Sequence, residues 1–197
     1  MSGVSEADIA HWRTWIGRAE TRTEALDPEA GRRFAAAIGE DLDVEAAAPS
    51  LMHWAFFLPV PAADGIGPDG HTKRGGFQPP ITLARRMFAA AEMQFLAPLR
   101  LGQAAQYDAV IADVKHRTGK SGDLIFVEVD RKITQDGAVK VRERQTIVYR
   151  DAGERTAPIE DKAIAPAAGE ESWRPSTVDL FRFSAATFNS HRIHYDL

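Results

Sequence analysis

Hydrophobic and polar positions change their rhythm near residue 85. Before it, apolar residues recur at helical spacing. Ser5 with Asp8 three residues on forms a capping box ahead of Ile9, Trp12 and Ile16, which share one helical face, and Gly17 is placed to end that helix. Residues 18–26 alternate loosely, as a strand does. Asp27-Pro28 is an N-cap followed by proline at the first helical position, predicting a helix through Phe34, Ala35 and Ile38 that stops near Gly39. Residues 51–58 are apolar and aromatic, and a buried helix and a buried strand fit them equally well at this length.

Residues 64–80 hold most of the turn formers, among them Gly65, Gly67, Gly70, Gly75, Gly76, Pro79 and Pro80. A loop of this length inside a domain usually carries function or moves. The pattern then shifts to period two. Met87, Ala89, Ala91, Met93 and Phe95 fall on one face, and Leu101-Gly102 turns the chain. Tyr107, Ala109 and Ile111 mark the next strand, residues 118–122 a hairpin turn, and Ile125, Val127 and Val129 a third strand. Asp136-Gly137 is the strongest hairpin signal, and beyond it Val139, Val141, Ile147 and Tyr149 alternate with Lys140, Arg142, Arg144 and Arg150. The prediction is an α+β domain over residues 1–150, with helix packed on a meander of four long antiparallel strands. Residues 151–175, rich in Ala, Pro, Gly and Glu, read as a linker. After it Thr177 to Ala185 alternates as a new strand, with Val178 and Leu180 opposite Phe181 and Phe183.

Composition narrows the function classes. The 197 residues carry a formal net charge of −4 and no long basic run, which excludes an obvious nucleic-acid surface. Cysteine is absent, so disulfides, thiolate zinc sites and a cysteine nucleophile are excluded. The N-terminal residues lack the charged and apolar regions of a signal peptide, and the longest apolar run, residues 55–61, is too short to span a bilayer. A cytoplasmic protein with no membrane partner is expected.

Candidate chemistry concentrates at the end of the chain. Asn189, His191, His194 and Asp196 fall within eight positions, behind an aromatic stretch. No other segment crowds groups suited to proton transfer, although a histidine at a strand end is also an ordinary surface or packing residue. His191, His194 and Asp196 spell H-x-x-H-x-D, yet no second ligand-rich cluster accompanies them, so no metal is expected. In the long loop, Lys73 and Arg74 lie among Gly70, Gly75 and Gly76, where two cations can meet phosphate or simply be solvated. The loop lacks the lysine-serine/threonine ending of a P-loop. Trp12, Trp54 and Trp173 read as packing residues.

The stretch from Phe183 to Asp196, F-S-A-A-T-F-N-S-H-R-I-H-Y-D, resembles the active-site segment of MaoC-like hydratases. The nearest branch is that of mitochondrial-type 3-hydroxyacyl-thioester dehydratases and mesaconyl- and itaconyl-CoA hydratases. His71-Thr72-Lys73-Arg74-Gly75-Gly76-Phe77 and Pro79-Pro80 resemble the N-terminal half of the same branch. The resemblance implies a hot-dog fold, an antiparallel sheet wrapped on a helix. Such proteins carry two hot-dog domains in tandem, so residues 1–150 would be the first, 151–175 the linker, and 176–197 the first strand and catalytic turn of the second. Residues 39–49 lack the Asn and His of an active half, which makes the first domain a scaffold.

By the same resemblance the chain adds or removes water at the double bond of an α,β-unsaturated acyl-CoA, of mesaconyl or itaconyl type. The rivals are a 3-hydroxyacyl-thioester dehydratase of fatty-acid metabolism and a non-catalytic acyl-CoA-binding subunit. His194 would be the acid/base and Asn189 the holder of water, with His191 sharing the work and Asp196 orienting His194. Thr187 stands where single-domain relatives carry an aspartate. Phe183 and Phe188 would restrict water. Lys73, Arg74, Gly75 and Gly76 would bind coenzyme A, which enters only as part of the substrate. The short tail strand is expected to pair with the first sheet or with a second copy, giving a homodimer by strand addition.

Overall fold

The computed structural model describes residues 3–41, 43, 47–119, 122–152, 169 and 174–194. Its frame is a five-stranded antiparallel sheet in the order β1-β5-β6-β7-β3. The strands are β1 (Ala19–Ala25), β3 (Arg85–Phe95), β5 (Ala104–Gly119), β6 (Gly122–Gln135) and β7 (Ala138–Arg150). A second, two-stranded ladder joins β2 (Ala47–Ala48) to β4 (Leu99–Arg100). β5 and β6 pair out to Gly119 and Gly122, and a tight turn connects β6 to β7. Between β6 and β7, Asp136 and Gly137 take φ of 54° and 72°, the pair of positive values that a two-residue hairpin demands.

Only part of the expected meander forms. β3 does not lie beside β5; β1 takes that edge, and β3 crosses to pair with β7 at the far side. Two irregularities also change the expected faces. The β3–β7 register shifts between Phe88 and Ala90, so Arg86 and Phe88 share the inner face with Ala91, Met93 and Phe95, while Met87 points away. A second shift, between Ile133 and Thr134, leaves Val139 opposite Thr134 and takes it off the face of Val141. Each bulge inverts the alternation beyond it.

The helices form where their caps are. α1 (Glu6–Arg13) starts at the Ser5–Asp8 capping box, and α2 (Pro28–Ala37) at Asp27, whose carboxylate accepts from the backbone N–H groups of Glu29 and Ala30. The ambiguous segment is a short 3-10 turn, Met52–Ala55, with Leu51 and Phe57 in left-handed conformation on either side. Two apolar clusters fill the inner face of the sheet. Under α2 and the 3-10 turn lie Leu26, Phe34, Met52, Phe56, Ile133 and Val141. Under α1 lie Trp12, Ile81, Ile111, Ile125, Val127 and Tyr149.

A polar group sits on the same inner face, where β7 was expected to be apolar. Arg131 and Glu143 are direct cross-strand partners, with Arg131 Nη1 3.5 Å from Glu143 Oε2. His53 Nε2 approaches the same oxygen at 3.6 Å, and Trp54 Nε1 donates to Oε1 at 3.3 Å. Trp54 therefore pairs with a carboxylate as well as packing, whereas Trp12 is a core residue; Trp173 lies outside the described residues.

The tail departs most from expectation. Residues 177–186 are not a strand but a helix, α3 (Thr177–Ala186). Ser176 and Asp179 make a second capping box, and Leu180, Phe183 and Thr187 gather along one side. The tail packs on α2, helix against helix: the rings of Phe34 in α2 and Phe183 in α3 lie 5.6 Å apart. Strand addition by this segment is excluded, because its backbone groups bond within the helix. Most of the segment expected to be a linker, residues 153–168 and 170–173, lies outside the described residues. Among those described, no helix is long and apolar enough to cross a membrane.

Candidate active site

The candidate site forms where the chain leaves α3 and meets the long loop. Phe188 takes a left-handed φ of 47°, and the Asn189 N–H closes on the Ser184 carbonyl at 2.7 Å. The side-chain oxygen of Asn189 then accepts from the His191 N–H at 3.1 Å, an Asx turn leading into the 3-10 turn Arg192–His194. Asn189 thus shapes the turn that presents both histidines.

The receiving loop is ordered by its own backbone. Ile66 bridges Thr72, Gly67 N–H donates to the His71 carbonyl at 2.7 Å, and Lys73 N–H to the Gly65 carbonyl at 2.8 Å. At its tip, Ser190 Oγ donates to the Gly70 carbonyl at 2.5 Å and Arg192 N–H to the Asp69 carbonyl at 3.1 Å. Gly70 has φ of 83°, and a Cβ there would lie 1.7 Å from the Ser190 carbonyl oxygen. Only glycine permits this approach.

Three imidazoles come together as a result. His71 and His191 are nearly stacked, with ring centroids 3.9 Å apart and planes tilted by 34°. His194 meets His191 edge-on at 5.8 Å. Asp69 accepts from the His71 backbone N–H and lies 3.1 Å from its Nδ1. Arg86 reaches over from β3 to donate to the Thr72 carbonyl at 3.2 Å. Burial lowers the pKa of His191, the His194 ring and Arg86 push the same way, and Asp69 opposes them. His191 is therefore biased toward the neutral form, the one able to accept a proton.

Of the residues singled out in the sequence, Asn189, His191 and His194 are brought together, and Asp196 lies outside the described residues. Phe183 is occupied against α2 and Phe188 is exposed, so neither walls the histidines from water as expected. In the loop, Arg74 is not available to phosphate. Its guanidinium donates to the carbonyls of Ile81, Leu83 and Ala84 and lies 5.1 Å above the Tyr149 ring. Gly75 takes a left-handed turn and Gly76 accepts from Trp15 Nε1, while Lys73 is exposed. Among the described residues, no three His, Asp or Glu side chains converge so as to hold a metal ion. Asp69, His71 and Arg86 were missed as site residues. The D-x-H spacing of Asp69 and His71 was visible, but its meeting with the tail was not.

The fold defines the class first. The chain is similar to a solved MaoC-like dehydratase (TM-score 0.62, 13% identity, covering 94% of this chain and 70% of that one). It is also similar to the ChsH1–ChsH2 complex from Mycobacterium tuberculosis (TM-score 0.56, 14% identity, covering 80% and 97%). At that level of identity the likeness is one of fold, and the fold is the hot-dog.

The sequence goes further. Residues 51–197 match the hydroxyacyl-thioester dehydratase type 2 family. A mesaconyl-C(4)-CoA hydratase of Chloroflexus aurantiacus is 40% identical over an alignment that covers 95% of this chain and 69% of that protein. The chain belongs to the hydroxyacyl-thioester dehydratase type 2 family and is a hydro-lyase, an acyl-CoA hydratase.

Proposed function

We propose that the chain hydrates the double bond of a dicarboxylic α,β-unsaturated acyl-CoA of the mesaconyl type, using the turn at residues 189–194. The observation that carries this reading is the convergence of His191 and His194 beside the Asn189 turn. Hydration needs a base to activate water for attack at the β-carbon, an acid to deliver a proton at the α-carbon, and a donor for the charge that develops on the thioester oxygen. Paired imidazoles can exchange these proton roles within one turnover. The Asn189 side-chain oxygen is held by the His191 N–H, which leaves its NH2 group as the one suited to hold water or the thioester oxygen. Coenzyme A enters as part of the substrate, and no further cofactor is proposed. A cytoplasmic setting is proposed; with no cysteine, the chain has no disulfide that would call for an oxidising compartment.

The test is formation of the hydrated thioester, read by mass as the gain of one water, when mesaconyl-C4-CoA, itaconyl-CoA and crotonyl-CoA are each offered to the protein. Turnover of a dicarboxylic thioester well above crotonyl-CoA supports the proposal. Preference for crotonyl-CoA returns the chain to fatty-acid dehydratase chemistry, and binding without turnover to the non-catalytic subunit.

Two further features belong to this reading. We assign coenzyme A phosphate contact to Lys73 rather than Arg74, since Arg74 is held by carbonyls. Lys73→Ala is expected to weaken binding of a coenzyme A thioester several-fold and to flatten its salt dependence. Affinity unchanged at low salt would make Lys73 an ordinary solvated cation. The homodimer is proposed through the β3 edge, where Phe88 and Phe95 are exposed, and is checked by sedimentation equilibrium.

A further inference from the structure

We propose that His71 and Asp69, from the first-domain loop, are positioning residues for His191: the loop completes the active site by clamping the catalytic turn and fixing the plane of that imidazole. This rests on the assignment of residues 189–194 as the reacting turn. The geometry has three parts. An ionised carboxylate only accepts hydrogen bonds, so the Asp69 contact at 3.1 Å places the proton of His71 on Nδ1 and fixes its tautomer and plane. The His71 ring then lies against the face of His191, with centroids 3.9 Å apart, and bars rotation of that ring toward the loop. The Ser190 hydroxyl and the Arg192 N–H, donating to the carbonyls of Gly70 and Asp69, pin the turn on either side of the stacked pair.

The arrangement also explains why the loop tip is Asp-Gly-His. Asp69 supplies both the carbonyl that receives Arg192 and the carboxylate that holds His71. Gly70 lets the two backbones touch, because any Cβ would collide with Ser190. His71 supplies the flat surface. The groups that face His191 are His71 and Asp69 from the loop, His194 from its own turn, and Arg86 from β3. Each loop residue therefore leaves a different mark on the titration of His191. Without His71 the ring gains water, and its pKa moves up toward the ordinary histidine value. Without the Asp69 charge, the one nearby group that favours protonation is lost, and the pKa moves further down.

The test compares wild type, His71→Ala, His71→Phe and Asp69→Asn in the full chain, each checked for an unchanged melting curve. Turnover of mesaconyl-C4-CoA and the pH dependence of kcat/KM are measured beside NMR titration of the His191 ring, assigned by its loss in His191→Gln. Expected are a fall in kcat of about 10–100-fold in His71→Ala with KM within about threefold, as for a misplaced catalytic group, and partial recovery in His71→Phe, which restores the flat face. The acid limb of kcat/KM should move up in His71→Ala and down in Asp69→Asn, in step with the NMR titration. An unchanged His191 titration in both variants overturns the proposal, as does a titration that moves while kcat stays at the wild-type value. Should wild type turn over no acyl-CoA while the titrations shift as stated, the reading of function fails and the clamp stands.

Discussion

Replacing His194 by alanine is expected to lower hydratase turnover by at least about a hundredfold, the lower range for removing a general acid/base. The sheet should fold as before, because His194 projects from a terminal 3-10 turn and takes no part in either apolar cluster. His191→Ala is expected to cost a similar factor, since it removes the half-buried imidazole that lies between His71 and His194. Losses in the double variant should fall well short of the product of the single losses, as for residues that act as one unit. The measurement is kcat and KM on the preferred thioester for each variant. Activity within a few-fold of wild type in His194→Ala would remove His194 from the chemistry, and full additivity would show that the two rings work separately.

Glu143→Ala should destabilise the fold by about 3 kcal/mol, the lower end of what breaking a buried ion pair costs, because Arg131 keeps some contact with water. The substitution leaves Arg131, His53 and the Trp54 N–H facing one another on the inner face of the sheet. For a chain of this size the melting temperature should drop by roughly 6–12 °C. Glu143→Gln, which keeps shape and hydrogen bonding, should cost less. The same carboxylate gives a pH signature. Burial raises its pKa, but His53, Arg131 and Trp54 outweigh burial and hold it below the usual carboxylate value. A depressed carboxylate stabilises the fold above its unfolded pKa, and that contribution fades as the pH falls toward the folded value. The difference in melting temperature between wild type and Glu143→Gln should therefore narrow on acidification. A difference independent of pH would show that shape, not charge, is what Glu143 contributes.

The signals that were legible in the sequence are local. Ser5 with Asp8, Asp27-Pro28 and Asp136-Gly137 each act on backbone groups within a few residues, so they place α1, α2 and the β6–β7 turn whatever the rest of the chain does. The Ser176–Asp179 box is as strong as the first, yet Val178 to Phe183 also alternates, and over so short a run both periods fit. Docking on Phe34 favours the helix, a contact about 150 residues distant along the chain. Bulges at Ala89 and near Lys140 were silent, because an extra residue leaves composition and spacing intact while inverting every side chain beyond it. Glu143 was hidden by its neighbours: the alternation of β7 reads as apolar inward unless Arg131 on the next strand is known to face it.

The residue types of the candidate site, Asn189, His191 and His194, and the family they resemble were written in the chain itself, since chemistry and motif survive without coordinates. The fold class was too, through period and turn residues. That His71 lies against His191 depends on contacts between segments some 120 residues apart. Such contacts arise from the shape of the folded backbone. Gly70 admits the tail because it lacks one carbon atom, and no pattern of neighbouring residues announces what that absence makes room for.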